Sequence, residues 1–273
     1  MLRLIPLLMV ILMATTFASG ARAAIKVERI QYKQGDTVLE GILAYDDAHK
    51  GKRPGILVCQ EWWGVNEYME SRVKQLAELG YVAFALDMYG KGNSTTDPKQ
   101  AGQWAQALMS NPAQLRERAA AGLKILAERP EVDQTKLATI GYCMGGTVAL
   151  ELARSGAKYT ENLKAVVAFH ASTIAARDPA DNKNIKGTVL ICHGAADTFV
   201  KPEQIENFHK QMAEANIDYE FATYAGAVHA FTNPNADKVG MPGIKYDAKA
   251  DKRSWELMQS LFKEAFGTPH AKT

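Results

Sequence analysis

The sequence predicts an α/β protein: a mostly parallel sheet of about eight strands with helices on both faces. Two observations predict it. Short apolar runs at 55–59, 82–86, 137–140, 165–169, 189–192 and 220–224 alternate with helix-period stretches at 67–79, 113–128, 144–154, 203–215 and 250–266. Strands that alternate with helices build parallel sheets whose crossover helices cover both faces. The second observation is composition. The 273 residues are 47% hydrophobic and 23% charged, which supplies ample chain for such a core and excludes a disordered or collagen-like protein. No repeat, low-complexity tract or linker interrupts the pattern, so one domain over residues 24–273 is expected.

Residues 1–23 are of another kind. Arg3 gives a positive start, residues 4–17 are uncharged and apolar, and Ala21-Arg22-Ala23 has the form of a cleavage site. A membrane anchor needs roughly 20 apolar residues, and this run decays earlier through Thr15, Thr16, Ser19 and Gly20. A signal peptide cut after Ala23 is therefore expected, with a secreted, periplasmic mature protein that keeps no membrane segment. Its removal takes two of the 32 basic residues and none of the 30 acidic ones. The remaining neutral chain has no basic stripe, so a nucleic-acid partner is not expected.

The elements that follow take their roles from position. An antiparallel pair is expected from 25–32 and 38–45, joined by a turn at Gln34-Gly35-Asp36. Cys59 and Cys192 each end an apolar run and read as inert core thiols. With Cys143 the mature chain has three cysteines, an odd number that cannot all pair within one chain. Ligands of parallel sheets bind beyond the carboxyl ends of the strands, so the residues just after each run carry the functional weight.

After the run at 137–140 comes Gly141-Tyr142-Cys143-Met144-Gly145-Gly146, then a helical stretch. This G-x-C-x-G on a strand–turn–helix is a nucleophile elbow with sulfur in place of oxygen. A strained nucleophile needs small neighbours, because side chains two residues either way would collide across the turn. The helix that starts at Met144 points amides at the sulfur, which favours the thiolate and offers an oxyanion donor. The alternative is a tight turn with an incidental cysteine. Asp197 follows the run at 189–192, and His229 follows the strand at 219–224. Each taken singly is a turn-former or a solvated loop histidine. Together, the order nucleophile, acid, histidine is that of α/β hydrolases, so the expected triad is Cys143, Asp197 and His229. The loop after the first central strand, Gln60-Glu61-Trp62-Trp63-Gly64, should supply the second oxyanion amide, Trp62 N–H opposite Met144 N–H. Glu61 stands there as a carboxylate close to the nucleophile.

The motifs Q-E-x-x-G-V-N (60–66), D-x-Y (87–89), G-Y-C-x-G-G (141–146), H-G-x-x-D-x-x-V (193–200) and G-x-x-H-x-F (226–231) occur in this order. The mature chain, over nearly all of its length, thereby resembles the dienelactone hydrolase (carboxymethylenebutenolidase) family. The resemblance implies an α/β-hydrolase fold, no metal or other cofactor, and opening of enol-lactones or related activated esters. It also implies Cys143 as nucleophile, His229 as base and acid, Asp197 as its orienter, and Glu61 as a partner of the resting cysteine that helps release the thiolate when substrate arrives. Family members that act on dienelactone hold its carboxylate with arginines. This chain has Lys91 and Asn233 at those positions, which weakens anion recognition.

The substrate-binding candidates are Trp62, Trp63, Tyr89, Lys91, His170 and Phe231; a packed supporting role is the other reading of His170. The segment 233–247, rich in Pro and Gly, is a candidate lid or a plain surface excursion. The six histidines show no metal-binding spacing, and no G-x-G-x-x-G marks a dinucleotide site. Three functional readings follow: a lactone or ester hydrolase; a broad short-chain carboxylesterase or thioesterase; and a non-catalytic thiol-based binding or redox-sensing protein. The last has no use for an oriented base. The partner expected of the first two is a small-molecule ester or lactone.

Overall fold

The computed structural model describes residues 25–267, so the expected signal peptide lies outside the described residues. Eight strands make one sheet: β1 (Ile25–Gln34), β2 (Thr37–Asp46), β3 (Arg53–Cys59), β4 (Val82–Leu86), β5 (Val132–Tyr142), β6 (Leu163–Phe169), β7 (Thr188–Gly194) and β8 (Tyr219–Tyr224). Their spatial order is β1-β2-β4-β3-β5-β6-β7-β8. The hairpin β1–β2 runs in unbroken antiparallel register from Ile25↔Asp46 to Gln34↔Thr37, and β2 joins β4 antiparallel. From β4 onwards every pairing is parallel. The expected α/β sheet is present, with a second antiparallel junction that the sequence does not mark.

Six helices cover the sheet: α1 (Glu67–Glu78), α2 (Pro98–Met109), α3 (Pro112–Ala127), α4 (Met144–Arg154), α5 (Pro202–Glu214) and α6 (Ala248–Phe266). Alternation along each strand divides the core in two. Leu57 and Cys59 of β3 pack under α3, α4 and α5, whereas Ile56 and Val58 pack against α1 and α6. Burial pushes the thiols of Cys59 and Cys192 up to about 12, which suits the inert role expected of them.

Local chemistry sets the helix starts. Asn66, Asp97, Asn111 and Asp247 each accept a backbone N–H of the first turn, and prolines occupy the opening of α2, α3 and α5. The periodicity of the sequence does not announce α2. Only Ala101 and Leu108 of its twelve residues are buried, so its apolar stripe is too narrow to register. Among the described residues no helix is long and apolar enough to cross a membrane.

Candidate active site

The carboxyl ends of β3, β5, β6, β7 and β8 converge on one cleft. It encloses about 160 Å³ and is lined by Glu61, Trp62 and Trp63 after β3, Cys143 after β5, Ser172 after β6, and Phe199 after β7. His229, Ala230, Asn233, Ala236, Val239 and Ile244, all after β8, complete the wall. That volume lies below the roughly 300–1,000 Å³ of pockets that enclose drug-sized ligands, so it suits a small group.

Cys143 has the strained backbone expected of an elbow, with φ 55° and ψ −121°. The two glycines around it are required by distance. A Cβ on Gly141 would lie 1.9 Å from the Gly145 carbonyl oxygen, and one on Gly145 would lie 2.2 Å from that of Cys59. The second contact brings the start of α4 against the loop after β3. Among the described residues neither the Met144 N–H at the start of α4 nor the Trp62 N–H in that loop is taken by another protein acceptor. Tyr89 fixes this loop from outside the cleft, where its hydroxyl donates to the Trp62 carbonyl oxygen at 3.1 Å.

His229 Nδ1 meets Asp197 Oδ2 at 2.8 Å, and the other oxygen of Asp197 accepts the Phe199 N–H at 2.8 Å. Both side chains are buried. Burial alone would lower the His229 pKa. The Cys143 sulfur beside it and the Asp197 carboxylate more than offset that and lift it to about 10. A protonated imidazole is thereby held next to sulfur at neutral pH and is lost as pH rises through about 10. Ser172 adds a hydroxyl 3.7 Å from the sulfur.

Glu61 is enclosed on the cleft wall, with Asn233 Nδ2 donating to its Oε2 at 2.7 Å. Burial raises its pKa to about 7, against the opposing pull of Asn233, His229 and Arg72. Asn233, at a position where an anion-holding arginine was considered, instead holds a carboxylate.

Several sequence candidates stand elsewhere. Lys91 does not reach the cleft; its half-exposed ammonium pairs with Glu40 of β2 at 3.6 Å. Phe231 is fully buried and packs edge-on to His170, with ring centroids 5.1 Å apart. His170 does not line the cleft either, which corrects its place among the substrate-binding candidates. Its Nδ1 accepts the Cys143 N–H at 3.1 Å and its Nε2 meets Thr232 Oγ1 at 2.7 Å. Burial, followed by the nearby His229, holds its pKa well below the ordinary value. The neutral ring therefore carries its proton on Nε2 and supports the elbow from behind. Behind Thr232 lie Tyr68, Arg72 and Asp251 in one hydrogen-bonded chain.

Replacing His170 with Phe should lower kcat about 10- to 100-fold with little change in KM, because the Cys143 N–H loses one of its two acceptors, the other being the Phe169 carbonyl oxygen, and Cys143 shifts while the cleft wall stays intact. His170→Gln, whose amide oxygen can take the Cys143 N–H, should recover part of that loss. Steady-state kinetics of both variants check this, and equal losses in kcat and 1/KM would contradict it.

Sequence reasoning did not single out Ser172, Phe199, Ala236, Val239 or Ile244. The first two follow strand ends and were accessible to the rule that ligands bind there. The others belong to the segment 233–247, which is tied to His229 on both sides: His229 N–H donates to the Gly243 carbonyl oxygen and Lys245 N–H to that of His229. This segment is a wall of the cleft. Among the described residues no group of three or more His, Cys, Asp or Glu side chains comes together to hold a metal ion.

Comparison with known proteins places these features. The sequence profile of the dienelactone hydrolase family matches residues 39–266. A protein of Aquifex aeolicus (strain VF5) named "Putative carboxymethylenebutenolidase" is 27% identical over 86% of this chain and 97% of its own. The crystal structure of a dienelactone hydrolase-like promiscuous phosphotriesterase from metagenomic libraries is 37% identical, with a TM-score of 0.84 over 89% of this chain and 100% of that one. Another structure, named m3DLH, is 41% identical, with a TM-score of 0.85 over 89% and 99%.

Proposed function

The chain belongs to the dienelactone hydrolase family, a hydrolase family acting on ester and lactone bonds, and from that premise we propose that it cleaves a small lactone or ester through Cys143 and a thioester intermediate. The observation that carries this is the His229–Asp197 pair, 2.8 Å apart, opening onto the same cleft as Cys143.

The sulfur attacks the carbonyl carbon, and the carbonyl oxygen becomes an oxyanion received by the Trp62 and Met144 amides. Collapse breaks the carbon–oxygen bond of the ester. The departing oxygen takes the proton from His229, leaving an acyl thioester. Water then attacks that thioester as His229 takes its proton, and the second oxyanion expels the sulfur. A lactone consumes one water and yields one hydroxy- or oxo-acid. Thiolate attack suits a good leaving group such as an enolate, and suits an amide less.

The proposal includes export. The apolar stretch and the Ala21-Arg22-Ala23 site support a mature protein that begins at Ala24 in the periplasm; an N-terminal sequence beginning at Met1 in protein recovered from that compartment contradicts it.

A second reading, a broad short-chain carboxylesterase or thioesterase, is favoured by one observation: the cleft wall is apolar and Lys91 is paired outside it. Steady-state hydrolysis of dienelactone and of phenyl acetate separates the two. Preference for dienelactone supports the lactonase reading, cleavage of phenyl acetate alone supports the esterase, and turnover of neither contradicts both.

A further inference from the structure

We infer that Glu61, fixed by Asn233, is the specificity-determining residue of the cleft: it admits neutral esters and lactones and turns away those carrying a carboxylate near the scissile bond. This rests on the hydrolase reading above and names the substrate class of the same site.

The charges around the cleft add up unevenly. The imidazolium of His229 and the carboxylate of Asp197, in direct contact, offset each other. Asp197 is engaged by His229 at 2.8 Å on the side away from the cleft. Arg72 of α1 is the other charged group that acts on Glu61. It lies behind the wall, is itself buried, and is neutralised by Asp251 of α6 at 2.6 Å. Lys91 is drawn off by Glu40. Among the described residues no lysine or arginine lines the cleft, and the rest of its wall is mainly Trp62, Trp63, Phe199, Ala236, Val239 and Ile244 with two small polar groups, Ser172 and Asn233.

Glu61 is therefore the one uncompensated charge that a bound substrate meets. Asn233 donates to it through a neutral amide, which fixes the carboxyl in place without cancelling its charge. Two like charges about 7 Å apart, in surroundings with an effective dielectric near 20, repel strongly enough to cost about 50-fold in kcat/KM when Glu61 is fully ionised. The discrimination should depend on pH with a definite sign. Glu61 titrates near 7, so it is negative above that and neutral below. The imidazolium of His229, held to about 10, does not change over the same interval.

The experiment compares 4-acetoxybenzoate with 4-acetoxybenzamide, which differ by a carboxylate against a neutral amide of the same shape, each rate corrected by its alkaline hydrolysis. At pH 8, where about a tenth of Glu61 is neutral and takes either ester, the amide-bearing ester is expected to be preferred about 10-fold, and the preference to vanish at pH 5.5. In Glu61→Gln, which keeps an acceptor for Asn233, the preference should be small at both pH values. If that variant does not fold, the pH series on the unaltered protein decides alone. Cysteine-dependent cleavage of the carboxylate-bearing ester at an equal or higher rate overturns the inference while leaving the hydrolase reading intact. A preference unchanged across pH and in Glu61→Gln also overturns it, because the shape of the cleft would then be discriminating. Turnover of neither ester overturns the hydrolase reading itself, and this inference with it.

Discussion

Replacing Cys143 with alanine should lower kcat/KM toward ester or lactone by about 10⁴-fold or more while leaving the fold intact. In the proposed mechanism the acyl group is carried by this sulfur, so its removal leaves no acyl intermediate. Stability should fall only modestly, with a melting temperature lower by a few degrees, since Cys143 belongs to the buried cluster beneath α3 and α4 but contributes a single sulfur atom to it. The substitution should also release His229. Its pKa is held at about 10 partly by the neighbouring sulfur, and it should fall in the variant, as an NMR titration of the imidazole would show. The linkage has a definite sign. A histidine whose pKa is raised on folding contributes stability that is full below its unfolded value, near 6.5, and is lost as pH climbs through 10. The decline in stability from pH 7 to 10 should therefore be shallower in Cys143→Ala. Unfolding of the variant along with its loss of activity would mean that the cysteine is structural.

Gly145→Ala should be severely damaging. Its Cβ would fall 2.2 Å from the Cys59 carbonyl oxygen and 2.5 Å from that of Gln60. Both are backbone atoms, so no rotamer change relieves the clash, and α4 cannot withdraw without taking Cys143 with it. A loss of more than about 3 kcal/mol is expected in denaturant unfolding, with any soluble fraction inactive because the start of α4 and the loop after β3 have parted. Gly102→Ala makes the control. It lies within α2, its nearest neighbour is an aromatic carbon of Trp62 at 3.8 Å, and there the added methyl should gain about 0.5–1 kcal/mol. A stable, fully active Gly145→Ala would contradict the role given to this packing.

The contrast between these glycines indicates what the sequence could express. Chemistry tied to a strand end is legible, because each apolar run announces its own carboxyl edge. Cys143, Asp197, His229 and Glu61 could all be placed by that rule, and the structure brings Cys143, His229 and Glu61 to one cleft with Asp197 behind His229. Contacts between distant segments leave no such mark. Asn233 and Glu61 are 172 residues apart, and nothing in either neighbourhood signals their hydrogen bond. The place of Lys91 after Asp87-Met88-Tyr89 suggests an anion holder, yet its position relative to β2 hands it to Glu40. His170 stands at a strand end but turns inward, with φ at 37°, because its N–H donates to the Cys192 carbonyl oxygen of the adjacent strand. The wall formed by Ala236, Val239 and Ile244 consists of isolated apolar residues in a loop, without the spacing that would reveal a shared face. Helix α2 lacked a signal for the related reason that so little of it is buried.

The central claim is covalent: the acyl group passes through the sulfur of Cys143. Intact-mass spectrometry of the protein, acid-quenched during turnover of phenyl acetate or, should that ester not be cleaved, of dienelactone, tests it most directly. The account predicts a species heavier by the acyl group, mapping to the peptide that contains Cys143 and absent from Cys143→Ala. Turnover with no acylated protein at any quench time, or an acyl group on another residue, would contradict it.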